Sequence, residues 1–241
     1  MRRLAAIAAL VLLAAGCSGG KSEPLTVYAA SSLTSVFQKL DSDARFNFAG
    51  SDQLAFQIEQ GAKADVYASA SPKYPGELHA KGLVDPPHVF ATNRLVLIVP
   101  RSNPAHVTSL HSLLRSDVKL VIGAEGVPAG DYARDVLDSF CGHAPHCPAA
   151  KIVSEEQDVK GVVSKVALGE ADAGFAYATD ARAAAGKVRA IPIPSALAPD
   201  VRYSIAVVRE SDQQKEADDF VHLVLGPDGR AALRGAGFGL P

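Results

Sequence analysis

The chain has 241 residues, 48% hydrophobic, 21% charged and 6% aromatic, with no Trp and a single Met. That length supports one large domain or two modest lobes and excludes a disulfide miniprotein. A balance of 24 basic against 26 acidic residues excludes the basic excess of a general nucleic-acid binder and the high net charge of a disordered chain.

Arg2 and Arg3 precede a run from Leu4 to Gly16 made only of Leu, Ala, Ile, Val and Gly. It is short for a membrane span, which needs about 20 apolar residues. A positive start, a short apolar core and small residues before a cut site read as a secretory signal over residues 1–16. The ending LLAAGC resembles a bacterial lipoprotein signal, with Cys17 as the lipidated residue, although Ala14 stands where leucine is usual. Residues 17–23 then form the anchor site and a flexible tether. The expected location is outside the cell membrane, held to its outer face through Cys17. Cleavage removes two arginines and no acid, taking the net charge from −2 to −4.

Short apolar strands then alternate with helical patterns. Leu25 to Ala30 reads as a buried strand, followed by a helix through Leu33, Val36, Phe37 and Leu40. Arg45 to Ala49 is a second strand, with Phe46 and Phe48 on one face, and Ser51 to Glu59 a helix stopped by Gly61. ADVYASA is a third strand, and Pro72 to Lys81 a helix ended by Gly82. Leu95 to Pro100 is the most hydrophobic strand after the signal segment. VKLVIG and Lys151 to Ser154 are further strands, with a helix over Asp131 to Phe140 between them, and Glu155 and Glu156 open the next helix. That helix runs from Gln157 to about Leu168, before a strand at Ala173 to Ala178. Arg202 to Val208 is a late strand, and helices cover Gln213 to Leu225 and Gly229 to Leu233. The alternation predicts an α/β protein with mostly parallel sheets and helices on both faces. No low-complexity linker divides the chain, so two lobes that share it fit better than consecutive domains. The expected lobes are residues 24–92 with 202–241, and 93–201.

Cys141 and Cys147 lie in FCGHAPHCP. In an exported chain an even pair left after Cys17 predicts a local disulfide. The alternative is a metal site built from Cys141, His143, His146 and Cys147, against which C-x5-C is not a usual zinc spacing.

No nucleophile elbow, zinc helix, C-x-x-C pair or phosphate loop is present, so no catalytic residue is assigned. The recurring feature is instead a strand that ends in small or hydroxyl residues as a helix begins. Helix N-termini offer unpaired N–H groups and partial positive charge, a ready anion site beyond the strand ends of an α/β sheet. Ser31 and Ser32 stand at the first such junction and Ser51 at the second, after a Gly50 that leaves room for close approach. Ala129 and Gly130 are the donors on offer in GVPAGDYARDVL, since Pro128 has no N–H. Val159 starts the helix of EEQDVKGVV, and the Tyr177 hydroxyl ends a strand. Taken singly, each reads as an ordinary cap or core residue.

Several blocks in order carry a family resemblance: VYAASSLTSVF, FAGSDQLAFQIEQGAKADVYASA, GVPAGDYARDVL, EEQDVKGVVSKVALGEADAGFAYATDA, RYSIAVV and LGPDGRAALRGAGF. From Leu25 to Pro241 the chain resembles the molybdate-binding proteins, substrate-binding subunits of ATP-driven importers. The resemblance implies a two-lobed periplasmic-binding-protein fold of type II, with the ligand in the cleft between lobes. It implies molybdate or tungstate held by Ser32, Ser51, Ala129, Val159 and Tyr177, no other metal and no cofactor. It also implies a monomer that docks on an ABC permease in the membrane, with no enzymatic activity and no nucleic-acid partner. A fully deprotonated tetrahedral dianion needs donors only, which hydroxyls and backbone N–H groups supply. Asp52 departs from the family, where many members carry a small hydroxyl residue. A carboxylate suits a helix first turn, but one turned inward would repel a dianion or accept a proton from hydrogen phosphate. The competing expectations are a receptor for sulfate, phosphate or another small oxyanion, or an exported hydrolase with an unrecognised site.

Overall fold

Ten strands and eight α-helices build two five-stranded sheets, in a computed structural model that describes residues 23–142 and 147–241. The signal segment, Cys17, most of the tether, His143 and His146 lie outside the described residues. The first sheet contains β1 (Thr26–Ala30), β2 (Arg45–Ala49), β3 (Val66–Ser69), β4 (His88–Asn93) and β10 (Val201–Val207), in the order β2-β1-β3-β10-β4. The second contains β5 (Leu95–Pro100), β6 (Lys119–Gly123), β7 (Lys151–Glu156), β8 (Ala173–Tyr177) and β9 (Val188–Pro192), in the order β7-β6-β8-β5-β9. Each sheet is the core of one α/β lobe, and the chain passes between them twice. Asn93, Arg94 and Leu95 lead from β4 into β5, and residues 193–200 return it to β10.

Four of the five strands in each sheet run the same way, as expected, and one reversed strand makes each sheet mixed. β1 is parallel to β2 and β3, but β10 is antiparallel to β3 and β4. Likewise β6 is parallel to β7 and β8, while β5 is antiparallel to β8 and β9. Strands joined within a lobe by a crossover helix become parallel. β5 and β10 enter their sheets from the other lobe, without such a helix, and insert in the opposite sense.

Local chemistry explains where the helices begin. α2 (Ser51–Glu59) follows Gly50 directly, and α4 (Pro128–Cys141) starts three residues before the predicted Asp131 because proline suits the first helical position. α5 (Val159–Leu168) is capped by Asp158, whose carboxylate accepts the N–H groups of Lys160 (2.7 Å) and Gly161 (3.1 Å). Glu155 and Glu156 therefore do not open a helix; they extend β7, paired with Ile122 and Gly123 of β6. α6 (Ala178–Ala183) leaves β8 with no intervening loop. A short 3-10 helix over Ser31–Leu33 precedes α1 (Thr34–Leu40), and α3 (Lys73–Ala80) packs beside α2. α7 (Gln214–Leu225) and α8 (Pro227–Ala236) pack on each other, α7 against β10 and α8 against α1.

All six residues of β5 are buried, as a strand covered on both faces requires. Cys141 ends α4 and is bonded to Cys147. That bond uses both thiols, leaving no thiolate for the alternative metal site. Among the described residues no cluster of His, Cys, Asp or Glu is arranged to hold a metal, and no helix is long and apolar enough to cross a membrane.

Candidate functional site

The carboxyl ends of β1, β2, β6, β7 and β8 each run into a helix start, and those starts meet between the lobes. Ser32, Ser51, Ala129, Val159 and Tyr177 all line one cavity there. The space between its lining atoms is about 210 Å³. No Lys or Arg lines it.

Donor accounting separates spare N–H groups from used ones. In α4, Pro128 has no N–H, and Gly130 and Asp131 both donate to Val127 O, at 2.8 and 2.9 Å. Gly130, read from sequence as a donor on offer, is thus already engaged, and the Ala129 N–H alone in that turn is left without a partner among the described residues. The tight turn that recruits Gly130 also needs glycine there, since a Cβ would lie 2.3 Å from Gly123 O. In α5 the Asp158 cap takes the second and third N–H groups, and Val159 at the first position keeps its own. Asp158 lines the cavity, but its Oδ1 is committed to the cap.

The hydroxyls are arranged to the same end. Ser51, at the first position of α2, is 1% exposed, and its Oγ accepts the Ala70 N–H at 3.0 Å. Its proton is then available to a ligand. Ser32 Oγ lies 2.9 Å from the Tyr203 hydroxyl. Tyr177, 1% exposed, has a buried hydroxyl with no hydrogen-bond partner among the described residues. An orphaned buried hydroxyl costs about 1–3 kcal/mol, so its proton is open to any acceptor that enters the cavity. Burial pushes the Tyr177 phenol well above its ordinary range, which keeps it protonated and a donor at neutral pH.

Asp52 does not line the cavity. Its carboxyl is directed past Gly50 towards the Gly126 segment of the other lobe, and burial raises its pKa. The departure from the family pattern therefore adds no carboxylate to the cavity lining.

Contacts that only a closed cleft permits surround the cavity. Tyr74 of α3 donates to Gly126 O on the opposite lobe. Tyr177 meets Tyr203 edge to face at 5.8 Å, and the Lys160 ammonium lies 5.9 Å from the centroid of the Phe48 ring. Gly50 approaches Gln157 so closely that a Cβ there would sit 2.4 Å from Gln157 O. Sequence reasoning marked Gly50 as leaving room but missed Ala70, Tyr74 and Tyr203, because their roles are contacts with distant segments that no local pattern encodes.

Asp180, in the first turn of α6, is buried with one oxygen unpartnered. Burial raises its pKa from 3.8 to about 7, while the Tyr177 N–H and Lys160 pull it back only part of the way. The native state therefore holds this proton more tightly than the unfolded chain. Its stabilising effect is complete below about pH 4, declines as pH rises to about 7 and is flat beyond, a range of up to about 4 kcal/mol. The expected result is that Asp180→Asn loses that part of the slope. Melting curves between pH 5 and 8 check it, and parallel profiles for variant and wild type would contradict it.

Two lobes on mixed five-stranded sheets, meeting over a small cavity lined by helix N-termini, define a solute-binding protein of the two-lobed periplasmic class. The family described as bacterial extracellular solute-binding protein matches residues 25–239. Over 249 residues the chain is 34% identical to the molybdate-binding protein ModA of Mycobacterium tuberculosis, covering 95% of this chain and 93% of that one. It is 30% identical over 247 residues to ModA of Escherichia coli, covering 96% and 95%. Among solved structures, the periplasmic molybdate-binding protein of Azotobacter vinelandii superposes with a TM-score of 0.76 at 24% identity, covering 90% of this chain and 99% of that one. The chain belongs to the bacterial extracellular solute-binding proteins, in the branch that holds the ModA molybdate-binding proteins.

Proposed function

We propose that the protein captures molybdate, and tungstate equally, outside the cell membrane and delivers it to an ABC importer. The hydroxyls of Ser32, Ser51 and Tyr177 and the backbone N–H groups of Ala129 and Val159 hold the oxyanion. The lobes, residues 24–92 with 202–241 and residues 93–201, close on it by bending at the two crossings. The closed monomer docks on a permease, Cys17 carries the lipid that keeps it at the membrane, and the ion is carried unchanged without a cofactor.

What supports this reading above all is the donor set: a cavity with spare donors, an orphaned buried tyrosine hydroxyl and no cationic side chain. Helix N-termini and oriented N–H groups offset a dianion's charge without one. A ligand with no proton to donate satisfies such donors, and sulfate, the other fully deprotonated tetrahedron, is distinguished by size.

Thermal unfolding against molybdate, tungstate, sulfate and phosphate tests it. At a thousandfold excess over Kd a ligand stabilises by about 4.1 kcal/mol, which for a chain of this size raises Tm by about 8–16 °C. The expected shift comes with molybdate and tungstate alone. A shift with sulfate or phosphate instead reassigns the ligand, and no shift with any of the four removes the oxyanion reading.

A further inference from the structure

A serine hydroxyl can turn its proton either way, so Ser32 could offer the cavity a donor or an acceptor. The bonds behind it remove that choice. The Arg94 backbone N–H donates to Asn93 Oδ1 at 2.9 Å, which fixes the orientation of the Asn93 amide. Asn93 Nδ2 must then donate on its other side, to Thr179 Oγ1 at 2.9 Å and, over a longer 3.4 Å, to the Tyr203 oxygen. Tyr203 is fully buried, its ring held edge-on by Tyr177, Phe90 and Phe238 at 5.8, 6.1 and 5.3 Å. With its oxygen accepting from Asn93, its proton goes to the remaining partner, Ser32 Oγ at 2.9 Å. Ser32 must accept that bond, and its own proton faces the cavity. Burial pushes the Tyr203 phenol well above its ordinary range, so the proton stays in place.

We propose that Asn93 and Tyr203 are specificity-determining positioning residues: a relay that starts at the Arg94 N–H locks Ser32 as a donor, so that the cavity rejects an oxyanion that must itself donate a proton. Neither residue lines the cavity. The inference rests on the oxyanion reading above and adds the element that separates a deprotonated ion from a protonated one of equal charge and similar size, such as hydrogen arsenate. Ser51 is held in the same sense by the Ala70 N–H.

The test uses calorimetric titration of the full protein with molybdate and with arsenate, a protonated dianion nearer molybdate in size than phosphate is, in buffer alkaline enough for both ions to carry two charges. Tyr203→Phe keeps the ring packing and frees the Ser32 hydroxyl. Molybdate affinity is expected to fall by about three- to tenfold, part of a charge-assisted hydrogen bond, and arsenate binding to become measurable. Asn93→Asp reverses the relay: the carboxylate accepts the Tyr203 proton, Tyr203 accepts that of Ser32, and Ser32 turns a lone pair to the cavity. Molybdate affinity is expected to fall by about a hundredfold or more, while arsenate binding again becomes measurable. A purely electrostatic or packing effect weakens molybdate binding without any gain for the protonated ion, and that outcome in both variants overturns the relay. So does a failure of either variant to bind arsenate measurably. A wild-type protein that binds molybdate in those experiments leaves the reading of the cavity standing; one that binds no oxyanion overturns that reading and the relay with it. Ligand-free melting curves of each variant show that it is folded before titration.

Discussion

Gly50→Ala is expected to leave the ligand-free protein as stable as wild type and to lower molybdate affinity by about a hundredfold or more. Gly50 has φ −61° and ψ 140°, a conformation open to any residue, so alanine introduces no backbone strain. Within its own lobe an added Cβ would meet only Asp52 Oδ1, at 2.7 Å, the end of a flexible side chain that can turn aside, so the backbone obstruction arises only when the lobes meet. A Cβ at this position lies 2.4 Å from Gln157 O, and both sides of that contact are backbone that cannot rotate away. The second lobe must stand off by most of an ångström, carrying the Val159 N–H two residues further on. Hydrogen bonds weaken steeply over such a distance, and two bonds to a charged ligand are worth about 1.5–3 kcal/mol each. Calorimetry beside ligand-free melting separates the two effects. Gly130→Ala is the contrast: its Cβ would lie 2.3 Å from Gly123 O inside one lobe, so it should lower the melting temperature with no ligand present. If Gly50→Ala binds molybdate within threefold of wild type, the close approach at this point is not needed for capture.

The second large effect is expected from Ser32→Ala combined with Ser51→Ala. Two charge-assisted bonds at about 1.5–3 kcal/mol each correspond to a loss on the order of 10²–10⁴-fold. The double variant also strands the Ala70 N–H and the Tyr203 hydroxyl, which bonded the two serines, so its melting temperature should fall as well. Tyr177→Phe supplies the control that a stability artefact cannot mimic. It removes one ligand donor and also removes an orphaned buried hydroxyl, so affinity should fall while ligand-free stability holds or rises. Molybdate affinity within about threefold of wild type in the double variant would show that the donors lie elsewhere.

Much of the local structure was legible because it follows from short-range patterns. Arg45–Ala49, Ser51–Glu59 and Leu95–Pro100 are bounded by glycine, a helix-starting serine and proline, and their apolar spacing is unambiguous. The strands that escaped reading are His88–Asn93 and Val188–Pro192, which lie at the edges of their sheets. An edge strand pairs on one side and stays partly exposed, so its composition carries no buried apolar run. The end of β7 was misread for the same reason: it too is an edge strand, and two glutamates suit an exposed strand as well as a helix start.

The candidate site divides along a similar line. That small and hydroxyl residues gather where strands become helices, and that such junctions suit an anion, is a local property that the chain states by itself, and the family resemblance names the same five residues. Whether a given donor is spare is not local. The Gly130 N–H is consumed by a turn, Ser32 takes its polarity from a tyrosine 171 residues away, and Gly50 matters because Gln157 of the other lobe comes to meet it. Strand direction is of the same kind, since β5 and β10 run antiparallel only because the chain has just crossed between lobes. The sequence by itself determined which groups can donate, because that is a matter of residue type and helix position. The tertiary structure alone decided which donors remain free and whether they converge, because each hydrogen bond is allotted only once distant segments are brought into contact.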